Sequence, residues 1–258
     1  MIYLIGLFIS TVGFWLASQH LHQDIREYWD FVAFFVVILG TAAVMLVNFP
    51  AAPFRLLAEK FLRKFFLPAT SLRKHSELCL KVINSRAAPE PKTIEAQLLA
   101  DGLELLGLGF NREKTLELLS RRFEIYAGRI NAVSSWLRRN AKYPPAFGLA
   151  GTVLGLIHLM RGISSGIDTK ETGIRMAVAL VATFYGILIS NLVLNPLGEW
   201  LQEELKRDQL KAEMSLNSIV LILENANPIE VQENLNSFLS GSEKLAMNFG
   251  ELLSEEAA

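Results

Sequence analysis

Four hydroxyls lie where this chain carries no charge. Thr41, Thr152, Thr183 and Ser190 fall inside long apolar runs whose cores contain no Asp, Glu, Lys or Arg. A hydroxyl at such a place can donate one hydrogen bond or offer its oxygen to a proton or a cation, but it brings no charge of its own. Ion passage through lipid ordinarily uses an ionisable group at membrane depth. If ions cross here, the carboxylate must come from another chain. His158, one turn from the end of its run, is the one side chain in those cores that titrates near neutral pH. Each hydroxyl also has an ordinary reading, a bond back to the carbonyl one turn earlier in its own helix.

Other candidates for chemistry are thinner. His20 and His22 stand two apart with no carboxylate beside them, which suits solvated loop residues better than a metal pair. No metal site or cofactor is expected. The single Cys79 excludes an internal disulfide and a cysteine-based zinc site, and reads as a reduced cytoplasmic thiol. There is no phosphate-binding glycine loop, no nucleophile elbow and no His-Glu-x-x-His, so the chain is not read as an enzyme.

The elements that must position the hydroxyls are apolar helices. The 258 residues are 51% hydrophobic, with mean hydropathy +0.31. Four runs are long enough to be spans: Met1–Ser18, Phe31–Phe49, Pro144–Met160 and Met176–Leu197. About 20 apolar residues cross a hydrocarbon layer of about 30 Å. The first run lacks a basic leader and an Ala-x-Ala-like site, so it reads as a span and not as a signal peptide. The fold expected is all-α: a polytopic membrane protein with four transmembrane helices and a helical cytoplasmic region. Helices in lipid gain little from apolar burial against one another and pack through small residues. Gly148, Gly151 and Gly155 on the third run, and Ala182, Gly186 and Ser190 on the fourth, supply such ridges. Gly6 and Gly13 on the first run are expected to be close-approach points.

Segment 51–143 holds 17 Lys and Arg against 9 Asp and Glu, whereas the break 19–30 holds Arg26 alone and the break 161–175 holds Arg161, Lys170 and Arg175. Basic residues stay on the cytoplasmic side, which places both termini, the middle segment and the tail inside. The expected division is 1–50 for the first two spans, 51–143 for a cytoplasmic helical domain, 144–197 for the last two spans and 198–258 for C-terminal helices and tail. Tyr28 and Trp29 suit an interfacial aromatic belt.

Residues 54–66 place Phe54, Leu57, Phe61 and Phe65 on one face beside four basic residues, the pattern of a helix lying in the headgroup plane. Residues 68–92, with Pro68, Pro89 and Pro91, are the least patterned. A helix restarts after Thr93 and breaks at Gly107–Gly109. Asn111 is an N-cap for a helix reaching about Lys142. Another charged helix covers 198–225, Asn227-Pro228 caps a last one, and 241–258 read as loose and acidic.

With these elements in place, a family resemblance can be stated. Pro144-Pro-Ala-Phe-Gly-Leu-Ala-Gly-Thr-Val-Leu-Gly155 resembles the third-span signature of MotA-type flagellar stator proteins, within the MotA/TolQ/ExbB superfamily. Ala177 to Gly186, with Asn195-Pro-Leu197, resembles their fourth span. Val47-Asn-Phe-Pro50 and the tail from Asn227 to Leu239 are similar too. The resemblance implies a homopentamer around two single-span MotB-type peptidoglycan-binding subunits, each bringing the ion-carrying Asp, in the bacterial inner membrane. It further implies that Pro145 and Pro196 couple ion passage to movement, that Thr183 with Thr152 and position 182 lines the ion path, and that a FliG-type switch protein is the rotor partner. Ala182 stands where sodium-driven members tend to carry a second hydroxyl. It points to H+ as the transported ion, while Thr152 keeps Na+ open. The family's rotor-facing Arg and Glu pattern is not reproduced in 73–95. Arg73, Lys74, Glu77 and Lys81 are candidates by charge, and a solvated face is their ordinary reading. A non-flagellar energiser of the same superfamily, driving gliding, import or defence machinery, and a non-conducting membrane scaffold are the other readings.

Overall fold

A computed structural model describes residues 2–20, 30–48, 71–166 and 168–245. Among these the chain is all helical. The elements are α1 (Ile2–His20), α2 (Phe31–Val47), α3 (Leu72–Ser85), α4 (Ile94–Gly107), α5 (Arg112–Asn140), α6 (Tyr143–Ser164) and α7 (Thr169–Leu188). A π-helical segment (Ile189–Leu194), α8 (Asn195–Leu223) and α9 (Pro228–Ser237) complete the chain. Two units are distinguished: residues 1–54 with 132–201, and residues 55–131 with 202–258. The expected amphipathic helix 54–66, the aromatic pair Tyr28 and Trp29, His22, and the tail from 246 lie outside the described residues.

In the first unit α6 packs most extensively on α7, and α2 packs on both. Helix α2 starts on Asp30, whose carboxylate accepts from the Ala33 amide at 2.6 Å, and its other end is marked by Asn48, whose carbonyl accepts from Trp136 Nε1 at 3.1 Å. Its Ala33, Val37 and Thr41, spaced four apart, are buried. Helix α6 runs to Ser164 and α7 starts at Thr169, so both helices reach into the polar break read over 161–175, with a turn at 165–166. Gly166 takes φ 82° in that turn, and Asp168 caps α7 by accepting from the Glu171 amide at 2.7 Å. Capped ends let both helices continue past their apolar runs into charged sequence. The fourth run also departs from expectation beyond Leu188. The chain stays helical through the π segment into α8, of which Pro196 is the second residue. A β-carbon at Gly6 or Gly13 would meet nothing within 4 Å, so neither glycine is a close-approach point within the described chain.

The second unit has its own core. Leu98 and Leu99 of α4, Leu119 of α5, Met214, Ile219 and Ile222 of α8, and Leu235 of α9 are fully buried, with Cys79 and Val82 of α3 against them. Residues from both 51–143 and 198–258 therefore contribute to one core. Caps set the element starts as the sequence indicates: Thr93 Oγ1 accepts from Ala96, Asn111 Oδ1 from Lys114 and Asn227 Oδ1 from Glu230. Helix α3 corrects the expectation for 68–92. Its inner face carries His75 and Ser76 where a stripe would be apolar, so its periodicity is hidden in the sequence. His75 is satisfied locally, whereas the Ser76 hydroxyl has no hydrogen-bond partner among the described residues. His75 Nε2 lies 3.0 Å from Lys211 O and 2.9 Å from Ser215 Oγ, and Lys211 Nζ donates to Glu95 Oε1 at 3.3 Å. Asn236 grips the chain beyond α9 by both amide atoms: its Oδ1 accepts from Leu245 N at 2.8 Å and its Nδ2 donates to Leu245 O at 3.3 Å.

Burial holds the His75 imidazole at about 4, well below its ordinary 6.5, and pushes the Cys79 thiol up to about 12. The folded state thus refuses a proton that the unfolded chain accepts between pH 6.5 and about 4. Stability is full above 6.5 and falls as pH drops through that window, with a slope approaching about 1.4 kcal/mol per pH unit for one proton. Melting midpoints measured from pH 7 to 5 should fall for the native chain and fall less for His75→Gln. Equal pH slopes would rule out His75 as the sensitive group. Removing one partner of the buried Glu95–Lys211 pair should cost about 3–5 kcal/mol, because it strands the other charge. Lys211→Met alone should therefore melt far earlier than Glu95→Leu with Lys211→Met together.

Candidate functional site

The small residues put the backbones of α6 and α7 in contact. A β-carbon on Gly148 would stand 2.8 Å from Ala182 O and from Thr183 Cα. One on Gly155 would stand 3.2 Å from Ala179 Cα, and one on Gly186 2.9 Å from Pro145 Cα. Gly151 faces the Ala182 methyl. All the small residues singled out on the two runs therefore lie in one seam. Ser190 joins it differently, by donating from Oγ to Ala141 O at 2.6 Å.

That approach brings the two threonines together. Thr152 Oγ1 and Thr183 Oγ1 are 2.5 Å apart, and Thr152 Oγ1 also lies 2.9 Å from Ala179 O and 3.2 Å from Gly148 O. Each hydroxyl has one proton. If Thr183 donates to Thr152, Thr152 donates on to a carbonyl and both protons are used. Thr183 then keeps its lone pairs for a further donor or a cation. The back-bond expected for an isolated threonine is present at Thr152, but alongside a bond to the neighbouring helix. Both hydroxyls are half-buried, while Ala182 is buried with its methyl in the seam. Thr41 is not part of this pair; its Oγ1 is buried with no hydrogen-bond partner among the described residues. His158 is exposed on α6.

Sequence reasoning misses Tyr185. Its Oη accepts from the Asp30 amide at 3.2 Å and its ring meets Phe34 edge-on, at 5.8 Å between centroids and 87° between planes. The position on α7, two residues past Thr183, is visible in the sequence, but its partner on α2 is not. Pro145 is the third residue of α6, just beyond the two-residue break at Ala141–Lys142, and Pro196 is the second of α8. Arg73, Lys74, Glu77 and Lys81 lie on α3 in the second unit. Arg73, Glu77 and Lys81 are exposed, on the side away from Cys79 and Val82, and Arg73 Nε lies 3.4 Å from Glu77 Oε1. No group of three or more His, Cys, Asp or Glu residues placed to hold a metal occurs among the described residues.

A sequence profile of the MotA/TolQ/ExbB proton channel family matches residues 90–214. Chemotaxis protein PomA of Vibrio alginolyticus is 25% identical over 92% of this chain and 94% of its own length, and an uncharacterized Bacillus subtilis protein, YtxD, is 24% identical over 93% and 89%. The solved C. jejuni MotAB structure superposes with a TM-score of 0.83 at 16% identity, covering 96% of this chain and 98% of that one. The chain is similar to MotA-type proteins over nearly its whole length. The flagellar MotAB stator complex from Bacillus subtilis has the same fold, with a TM-score of 0.78 at 19% identity over 94% and 98%. The seam accounts for the glycines of the third and fourth runs: a β-carbon added at Gly148, Gly151, Gly155 or Gly186 would collide with the facing helix.

Replacing Gly148 by Val should cost about 3 kcal/mol, the upper end for overpacking, because backbone and not a movable side chain blocks the added atoms. Gly13→Ala should be neutral or slightly stabilising. Melting midpoints of the purified chain would test the contrast, and similar shifts at both positions would remove the seam from the account.

Proposed function

We propose that this chain is the channel-forming stator subunit of a flagellar motor, converting ion flow into torque together with a single-span MotB-type partner. The observation that carries the reading is the Thr152–Thr183 hydroxyl pair, set in the tightest helix seam of the first unit. Relatives named for motility and the fold likeness to MotAB complexes support it. Helices α1, α2, α6 and α7 are the four spans, in a bacterial inner membrane, with both termini cytoplasmic. The helices containing α6 and α7 meet the length and hydropathy needed to cross, and α2 is a shorter apolar helix of 17 residues, about 25 Å long.

Five copies surround two partner subunits, whose Asp carries H+ past the hydroxyls. Ala182 favours H+ over Na+, because its methyl is committed to Gly151 and position 182 adds no oxygen. One charge moving through 100 mV releases about 2.3 kcal/mol, enough to repack a few contacts per ion. Pro145 and Pro196 place amide-free residues beside the spans, where a helix can bend without breaking a bond already made. Arg73, Lys74, Glu77 and Lys81 form the face offered to a FliG-type rotor protein. A second reading, an energiser of a non-flagellar machine, is favoured by that same segment, because 73–95 does not reproduce the family's rotor-facing pattern.

Native mass measurement of the chain purified with its single-span partner should give five copies to two. A lone chain, or a ring without partner, would end the motor reading. In the five-to-two complex, Thr183→Val should cut ion flux into vesicles by about tenfold, as loss of one charge-assisted hydrogen bond would. Pro145→Ala and Pro196→Ala should assemble normally yet do no work on the rotor. Loss of assembly in both would reassign the prolines to folding.

A further inference from the structure

A proline has no amide hydrogen, so the carbonyl four residues earlier loses its helical donor. For Pro145 that carbonyl is Ala141 O, in the two-residue break between α5 and α6. Ala141 is buried, and a buried carbonyl left without a donor costs about 1–3 kcal/mol, so something must serve it. The donor is Ser190 Oγ, at 2.6 Å from a residue 49 positions away.

Ser190 belongs to the smaller group of helical serines here that donate to a distant carbonyl, with Ser134 to Gly198 O at 2.8 Å and Ser215 to Glu95 O at 3.1 Å. Ser85, Ser164 and Ser218 each donate to the carbonyl four residues back, at 2.8, 3.0 and 2.8 Å. That is the ordinary resting place of a helical serine. Ser190 is 5% exposed and reaches a different helix junction. It stands in the first turn of the π segment Ile189–Leu194, and the Asn195 amide donates to Ser190 O, five residues back. A π turn holds about one residue more than an α turn, so it rotates the helix beyond it by about 100°. Pro196 follows it after one residue, Asn195. At the same place Gly186 lets α7 approach the Pro144–Pro145 backbone.

We infer that the Ser190 hydroxyl is a latch: by holding the Ala141 carbonyl that Pro145 leaves without a donor, it ties the Pro145 junction to the π segment ahead of Pro196, and its release is a step in coupling. The second half rests on the stator reading; the bond itself does not. Ser190 is a positioning residue, since its hydroxyl is spent on Ala141 O and not on Thr152 or Thr183. The π segment stores the alternative: closing it to α-helical register would turn Ser190 away from Ala141 and back toward the Gly186 carbonyl. The Pro145 junction and the π segment ahead of Pro196 would then move together, because this bond joins them.

The test uses the complex of this chain with its single-span partner, carrying Ser190→Ala, Ser190→Thr, Pro145→Ala, and Ser190→Ala with Pro145→Ala. Ser190→Ala should lower the melting midpoint in the Pro145 background and leave it unchanged in the Pro145→Ala background, where the new amide takes Ala141 O. Equal shifts in both backgrounds overturn the latch. Rotor work per ion, from motor speed against proton uptake by vesicles, should fall about fivefold for Ser190→Ala, the factor a hydrogen bond of typical net strength supplies, and recover in Ser190→Thr. A parallel fall of work and ion flow, or no fall in either, overturns the coupling role. A native complex that neither conducts nor turns a rotor would instead overturn the stator reading, and the melting comparison would still decide the latch.

Discussion

The first unit depends on how closely two backbones can approach. At Gly148 and Gly186 there is no room for a β-carbon, and the threonine hydroxyls of α6 and α7 meet only because that space is empty. Apolar burial cannot supply this contact in lipid, where a leucine facing a lipid tail is as well placed as one facing a helix. What remains is dispersion between surfaces that fit, and hydrogen bonds whose alternatives in hydrocarbon are poor. The seam provides both. It also fixes the neighbours: Ala179 must be small for Gly155, and Ala182 must present its methyl to Gly151.

The second unit obeys different rules. Its core excludes water by aliphatic packing, yet α3 turns a histidine, a serine and a cysteine inward, and α8 answers with Lys211, Ser215 and Ser218. The cluster is held by His75, Ser215 and the Lys211 carbonyl serving one another, while the Ser76 hydroxyl has no partner among the described residues. Its benefit is register: an aliphatic stripe can slide by a turn at modest cost, whereas His75 has one place where Ser215 and the Lys211 carbonyl are both within reach.

Legibility in the sequence depends on which signals are local. Asn111, Thr93 and Asn227 each announce a helix start, because capping involves residues three apart in the chain. The glycine ridges announce a close contact, because small residues four apart have few other uses in an apolar run. Helix α3 is hidden by the polar residues it buries, and burial of a histidine is decided by α8, far away in sequence. The π segment gives no signal at all. Its residues, ISNLVL, suit an α-helix equally well, and the Ser190 contact with Ala141 O arises only in three dimensions. Proline after an apolar run usually ends a helix, but Pro196 falls at the second position of a new one, where its missing amide is not needed.

Cys79 is the sole cysteine of the sequence, completely enclosed, and its thiol is held almost entirely protonated at any pH the protein would meet. A thiol reacts as its thiolate and only where a reagent can reach it. The natural chain is thus already a chemically silent background. A cysteine introduced on any exposed helix position would be the only one to take a spin label, a fluorophore or a cross-linker, with no need to delete a native residue first. Distances across the seam, and their change as ions pass, are open to measurement in a protein whose core has not been altered to permit it.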